Sequence, residues 1–180
     1  GWMGCPEQEL WGAGDKKFMQ NLFKDFAHKG QFHSKCLVEL FYNKTIDTNP
    51  TEFIEVGCYE GSASKHLSTK MPNCSVTAYE ANPVNFKHFI KDLENYNINY
   101  VHNAISNFIG ETTFHLLNTD KTNIKSSLSK RSKSKKTFPV SVKCNTLNEL
   151  HYKSNHTYCM WIDAEGHGYE VLEGASNLLK

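Results

Sequence analysis

From Thr51 onward, short apolar runs alternate with stretches of helical period, and this alternation constrains the fold more than any other feature. Phe53 to Val56 reads as a strand ending at Gly57, followed by a helix from about Gly61 to Met71. Ser75 to Tyr79 reads as the next strand, ending at Glu80. Asn82 and Pro83 then announce a helix, an N-cap residue followed by proline in the first helical position, with Phe86, Phe89, Ile90 and Leu93 recurring behind them. Ile98 to His102 reads as a third strand, Thr112 to Leu117 and Val140 to Cys144 as two more. Tyr158 to Ile162 is the most apolar, and a last helix is expected from about Gly168 to Leu179, with Val171, Leu172, Ala175, Leu178 and Leu179 on one face. Strands that alternate with helices predict an α/β fold: a doubly wound, mostly parallel sheet with helices on both faces.

Before Pro50 the chain reads as a helical preface. Asp15 can cap a helix that carries Phe18, Leu22, Phe23 and Phe26 and ends at Gly30. A second, Ser34 to Asn43, is expected to bury Leu37, Val38, Leu40 and Phe41. The expected division is a preface over 1–50 and a ligand-binding α/β domain over 51–180. The six cysteines form no CxxC pair and the nine histidines show no ligand spacing, so we expect free thiols, no metal site and a cytoplasmic protein. The sequons at Asn43, Asn73 and Asn155 read as chance matches on that view. No apolar run reaches the length of a membrane span.

Open parallel sheets bind ligands beyond the carboxyl ends of their strands. In this chain those ends deliver Glu55, Gly57 and Gly61, then Glu80, then Asn103 and Ala104, then Asp163 and Glu165. The loop Gly57-Cys58-Tyr59-Glu60-Gly61 lacks the middle glycine of a dinucleotide fingerprint, and Glu55 and Glu60 would repel a pyrophosphate. A nucleoside ligand without phosphate suits it better. S-adenosylmethionine, with a sulfonium, an amino group and an adenosine, is the expected cofactor. Glu80 would accept from the ribose hydroxyls, and Asn103 and Ala104 would lie near the adenine. The alternative is that the two glycines only form a tight turn and Glu80 merely ends a strand.

Three stretches carry a resemblance: FIEVGCYEG (53–61), AYEANP (78–83) and WIDAEGHGYEVLEGA (161–175). They resemble the FkbM-type methyltransferases, a branch of the class I Rossmann-like methyltransferases that use S-adenosylmethionine. KSSL (125–128), ahead of TLNEL (146–150), resembles a further short motif of the family. The resemblance spans about residues 51–180 and implies O-methylation of a small molecule or sugar. By position it implies cofactor contacts at Glu55, Gly57, Tyr59, Gly61, Glu80, Asn103, Ala104 and Asp163, with Asp163 and Glu165 beside the transferred methyl group. Three positions depart from the family pattern: Tyr59 replaces a frequent Asn, Ala81 a frequent Pro, and Gly168 an acid.

Methyl transfer to a hydroxyl needs an aligned nucleophile and a proton acceptor. Asp163 is the expected positioning group, and Glu165 or His167 the expected base. The competing expectation is that Asp163 and Glu165 cap the last helix, with His167 in solvent. Residues 121–136 carry seven Lys/Arg and no acid, against thirteen basic and nineteen acidic residues elsewhere, a net of −6. They read as a solvated insertion; the alternatives are a site for an anionic ligand or for nucleic acid. Class I methyltransferases usually have seven strands with strand four inside the sheet. This chain ends after the helix behind its fourth core strand, so Tyr158–Ile162 is expected to be an open apolar edge. A fragment, a second copy or partner, or the N-terminal helices would each account for it. Other functional classes remain open at this stage: a non-catalytic cofactor-binding or scaffold module, a nucleic-acid methyltransferase, or a nicotinamide-dependent oxidoreductase.

Overall fold

The computed structural model describes residues 32–117, 128 and 137–180. The helix expected behind Asp15, and the basic stretch except Leu128, lie outside these residues. The chain divides into two units, 1–47 and 48–180.

The described part of the first unit lies in helix α1, Phe32–Thr48, which is longer than expected. Tyr42 and Thr45 are buried, whereas Leu37, expected to be buried, is 58% exposed. Val38, Tyr42 and Thr45 fall at i, i+4 and i+7 on one stripe, and Leu37 lies about 100° around the helix from Val38.

The second unit is built on a four-stranded parallel sheet in the order β3-β2-β1-β7. Its strands are β1 (Glu52–Val56), β2 (Ser75–Glu80), β3 (Asn99–His102) and β7 (Tyr158–Ile162). β1 is buried along its whole length because it pairs with β2 on one side and β7 on the other. Period-two alternation sends Ile54 and Val56 to one face and Phe53 and Glu55 to the other. On the first face lie α4 (Leu147–His151) and α5 (Gly168–Glu173), where Leu147, Val171 and Ala175 join Ile54, Val56 and Tyr79 in one core cluster. On the second lie α2 (Ser62–Lys70) and α3 (Pro83–Leu93): Ser64 meets Glu55, and Phe86 stacks on Tyr100. The sheet is therefore wound on both faces, as the alternation predicts.

β4 (Ala104–Ile105), β5 (Gly110–Leu116) and β6 (Phe138–Asn145) form a separate small sheet in the order β4-β6-β5. β4 runs parallel and β5 antiparallel to β6. Its core is Ala104, Phe114, Leu116, Val142 and Cys144, with Leu128, Ala81 and Val84 packed against it.

Among the described residues β7 pairs with β1 alone, so it forms the expected edge, and all five of its residues are half-buried. Trp161 is among them. The last helix is shorter than expected. α5 stops at Glu173, Gly174 follows, and Leu172 and Leu179 are exposed while Val171 and Ala175 are buried. Gly174 is required where it stands, because a β-carbon there would collide with the carbonyl oxygen of Ser106. No described helix is long and apolar enough to cross a membrane.

Candidate functional site

The β1–α2 loop is shaped by two left-handed glycines and one left-handed tyrosine. Gly57 (φ 76°) and Cys58 both donate their N–H to the Tyr79 carbonyl, at 3.0 and 3.1 Å. A β-carbon on Gly57 would clash with the Asp163 carbonyl, and the Asp163 N–H reaches Val56 O at 2.9 Å. Gly61 (φ 69°) precedes α2, and a β-carbon there would come within 2.7 Å of Leu93 Cδ2. Tyr59 (φ 51°) turns its N–H to Glu80 Oε2 at 2.8 Å and packs its ring edge-on against Phe89.

Glu80 ties this loop to the start of α3. Its other oxygen accepts the Asn82 N–H at 2.7 Å, and Asn82 in turn caps α3, accepting from Val84 N at 2.9 Å. Glu80 is 5% exposed. Burial pushes its carboxyl up to about 7, against the opposing pull of the Asn82 and Tyr59 N–H groups. Next to it, Asn103 gives its N–H to the Glu80 carbonyl at 3.2 Å. The Asn103 side chain is buried and its Oδ1 has no hydrogen-bond partner, nor has Asn82 Nδ2. A buried amide oxygen in that state costs free energy unless a ligand donor satisfies it.

Glu55, Ala104 and Cys58 are buried beside this loop and the small sheet. Glu55 Oε2 accepts from Ser64 N at 2.9 Å and Ser64 Oγ at 2.5 Å, so its buried carboxylate serves the first turn of α2. Burial raises its pKa. Ala104 is 1% exposed and packs within the small sheet's core. Cys58 is buried, and burial holds its thiol well above the usual range.

Beyond β7 the chain makes a tight turn. Glu165 (φ 35°) and Gly166 (φ 82°) are both left-handed, and the His167 N–H returns to the Ala164 carbonyl at 2.9 Å. Burial, then the charge of Glu165, raises the Asp163 pKa. His167 stands at the N-cap of α5 without capping it through its side chain. Its side chain is 16% exposed, contrary to a fully solvated histidine, with Nε2 2.9 Å from Ser106 Oγ and Nδ1 3.5 Å from Glu170 Oε2. Ser106 escaped sequence reasoning because nothing marks a lone serine after a strand. Glu170 was findable by its i, i+3 spacing from His167.

At the strand ends the Glu80 carboxylate thus holds the Tyr59 and Asn82 N–H groups, Asn103 donates to the Glu80 carbonyl, Asp163 lies against Gly57 and His167 meets Ser106. Among the described residues no group of three or more His, Cys, Asp or Glu side chains is placed to hold a metal ion.

A family model described as "Methyltransferase FkbM domain" matches residues 55–180. No curated protein matches the chain.

Proposed function

We propose, starting from the fact that the chain belongs to the FkbM methyltransferase family, that it moves a methyl group from S-adenosylmethionine to a hydroxyl of a small molecule or sugar. The observation that carries this reading is Glu80. It is a buried carboxylate at the end of β2, held by the Tyr59 and Asn82 N–H groups, with the orphaned Asn103 Oδ1 on the adjoining strand end. That set suits a nucleoside without phosphate: an acceptor for ribose hydroxyls and an acceptor for a ring amino group. The loop over residues 55–61 carries two acids and no base, which disfavours a pyrophosphate and with it a nicotinamide cofactor.

S-adenosylmethionine would supply an electrophilic methyl group on a sulfonium. The protein's part is to bind, to align and to take a proton. Glu80 and Asn103 would hold the adenosine, and the rigid β1–β7 junction at Gly57 and Asp163 would position the reacting groups. His167 or Glu165 would accept the proton of the acceptor hydroxyl.

A second reading, binding without turnover, is favoured by Gly168, which stands where the family pattern repeats an acid. Against it, Glu170 brings a carboxylate within 3.5 Å of His167.

Calorimetric titration with S-adenosylhomocysteine tests the cofactor. Saturable binding by wild type, weakened at least tenfold in Glu80→Ala, is expected. A folded wild type that does not bind overturns the reading. A chain that binds but turns over no hydroxyl acceptor leaves the second reading in place.

A further inference from the structure

His167 sits at the end of a line of side chains whose donor and acceptor roles can be assigned one by one. The line begins at Glu173, a carboxylate on α5, which when ionised only accepts hydrogen bonds. Asn107 Nδ2 donates to Glu173 Oε2 at 2.8 Å. The opposite placement of the Asn107 amide would set its oxygen against the carboxylate, so Oδ1 must face the other way. There it lies 3.2 Å from Ser106 Oγ and accepts that hydroxyl's one proton. Ser106 Oγ has then no proton left for His167. Its contact with His167 Nε2, at 2.9 Å, is made only if Nε2 carries the hydrogen and donates it.

The reverse arrangement fits worse. If Ser106 donated to Nε2, its oxygen would face the Asn107 oxygen with no proton between them. Nδ1 would then carry the hydrogen toward Glu170 Oε2 at 3.5 Å, so one long contact would replace the Ser106–Asn107 hydrogen bond.

We infer that the chain Glu173–Asn107–Ser106–His167 fixes His167 as the Nε2–H tautomer and makes Nδ1, on the Glu170 side, its basic atom. Resting on the methyl-transfer reading above, Ser106, Asn107 and Glu173 are positioning residues for the base. When the acceptor oxygen bonds the methyl carbon and the carbon–sulfur bond to the departing thioether breaks, the O–H proton would pass to Nδ1. The ring then becomes an imidazolium whose two N–H groups face Glu170 and Ser106. The polarity of the chain is unchanged by that step. The geometry also explains the glycine at 174: its bare α-carbon lets the Ser106 carbonyl pack against the end of α5, which holds Ser106 opposite His167.

Long-range proton–nitrogen correlation spectra of the imidazole rings, recorded where His167 is neutral, test this without any turnover. His167→Gln identifies the signal. The expected result is the Nε2–H form in wild type and a shift toward mixed tautomers in both Glu173→Gln and Asn107→Ala, two surface changes that spare the buried Ser106. A mixed or Nδ1–H ring in wild type overturns the inference, as does an Nε2–H ring that neither variant alters. Failure of S-adenosylhomocysteine to bind would sink the methyl-transfer reading and leave the tautomer result standing, so the two failures are distinguishable.

Discussion

The carbonyl oxygen of Asp163 occupies the space that any β-carbon at Gly57 would need, and Asp163 is bound there by its N–H to Val56 O at 2.9 Å. The pairing of β1 with β7 thus continues one residue past both strands. Gly57→Ala would meet both this clash and a left-handed backbone (φ 76°). We expect it to cost about 2–4 kcal/mol of stability and to weaken S-adenosylhomocysteine binding. Urea unfolding alongside calorimetry checks this, and a variant as stable as wild type would contradict the close approach.

Glu80 gives a pH signature. Its carboxyl is raised from the ordinary 4.5 to about 7 by burial. The folded state therefore holds a proton that the unfolded state has released between those values. Stability contributed by Glu80 is full below about 4.5 and falls as pH rises to about 7, by up to about 1.4 kcal/mol per pH unit. Glu55 and Asp163 shift in the same direction, so the diagnostic quantity is the difference between wild type and Glu80→Gln. That difference should change across this range and be flat above it.

Asn103→Ala should move stability and binding in opposite directions. Removing a buried oxygen that has no partner is expected to leave the free protein unchanged or more stable by about 1 kcal/mol. If the oxygen accepts from the ligand, S-adenosylhomocysteine affinity should fall about tenfold, the equivalent of about 1.4 kcal/mol. Loss of both together would mean that Asn103 is structural.

At the amino end of β1, Glu52 serves as a control far along the strand from the ligand edge. It is 3% exposed and meets His151 Nδ1, Lys153 Nζ and His156 Nδ1, each at 2.9 Å. His151 Nε2 in turn meets the Tyr79 hydroxyl at 2.6 Å. Burial pushes the Glu52 carboxyl up, but the hydrogen bonds from Lys153 and His151 outweigh it and leave it below 4.5. Its contribution is present above that value and is lost as pH falls. Glu52→Ala should cost about 3 kcal/mol at neutral pH without changing S-adenosylhomocysteine affinity.

The parallel core was legible because its strands announced themselves by apolar runs and α3 by its cap and period, whereas the short helix α4 was not foreseen. Asn82 and Pro83 do mark the start of α3, and Gly57, Gly61 and Glu80 do stand at one edge. What the sequence hid was which polar groups face inward. Glu55 and Glu80 look alike on paper, yet one carboxylate is spent on Ser64 and the other joins the Tyr59 and Asn82 N–H groups. Ala104 follows β3, as the sequence suggests, and the sequence did not show that it opens a strand of a second sheet. The link from His167 to Ser106 spans 61 residues, and no periodicity reports a contact of that range. Leu172 and Leu179 kept a helical spacing that the chain abandons after Gly174.

Glu80 has one further consequence. Tyr59 and Asn82 fix its carboxylate from opposite sides before any ligand arrives. A diol that reaches this oxygen pair therefore meets a rigid acceptor and spends little of its interaction energy on freezing a side chain. The same rigidity makes the pair unforgiving. A ligand whose hydroxyls are displaced or inverted cannot draw the carboxylate after it without releasing the loop at Tyr59 and the cap of α3 together.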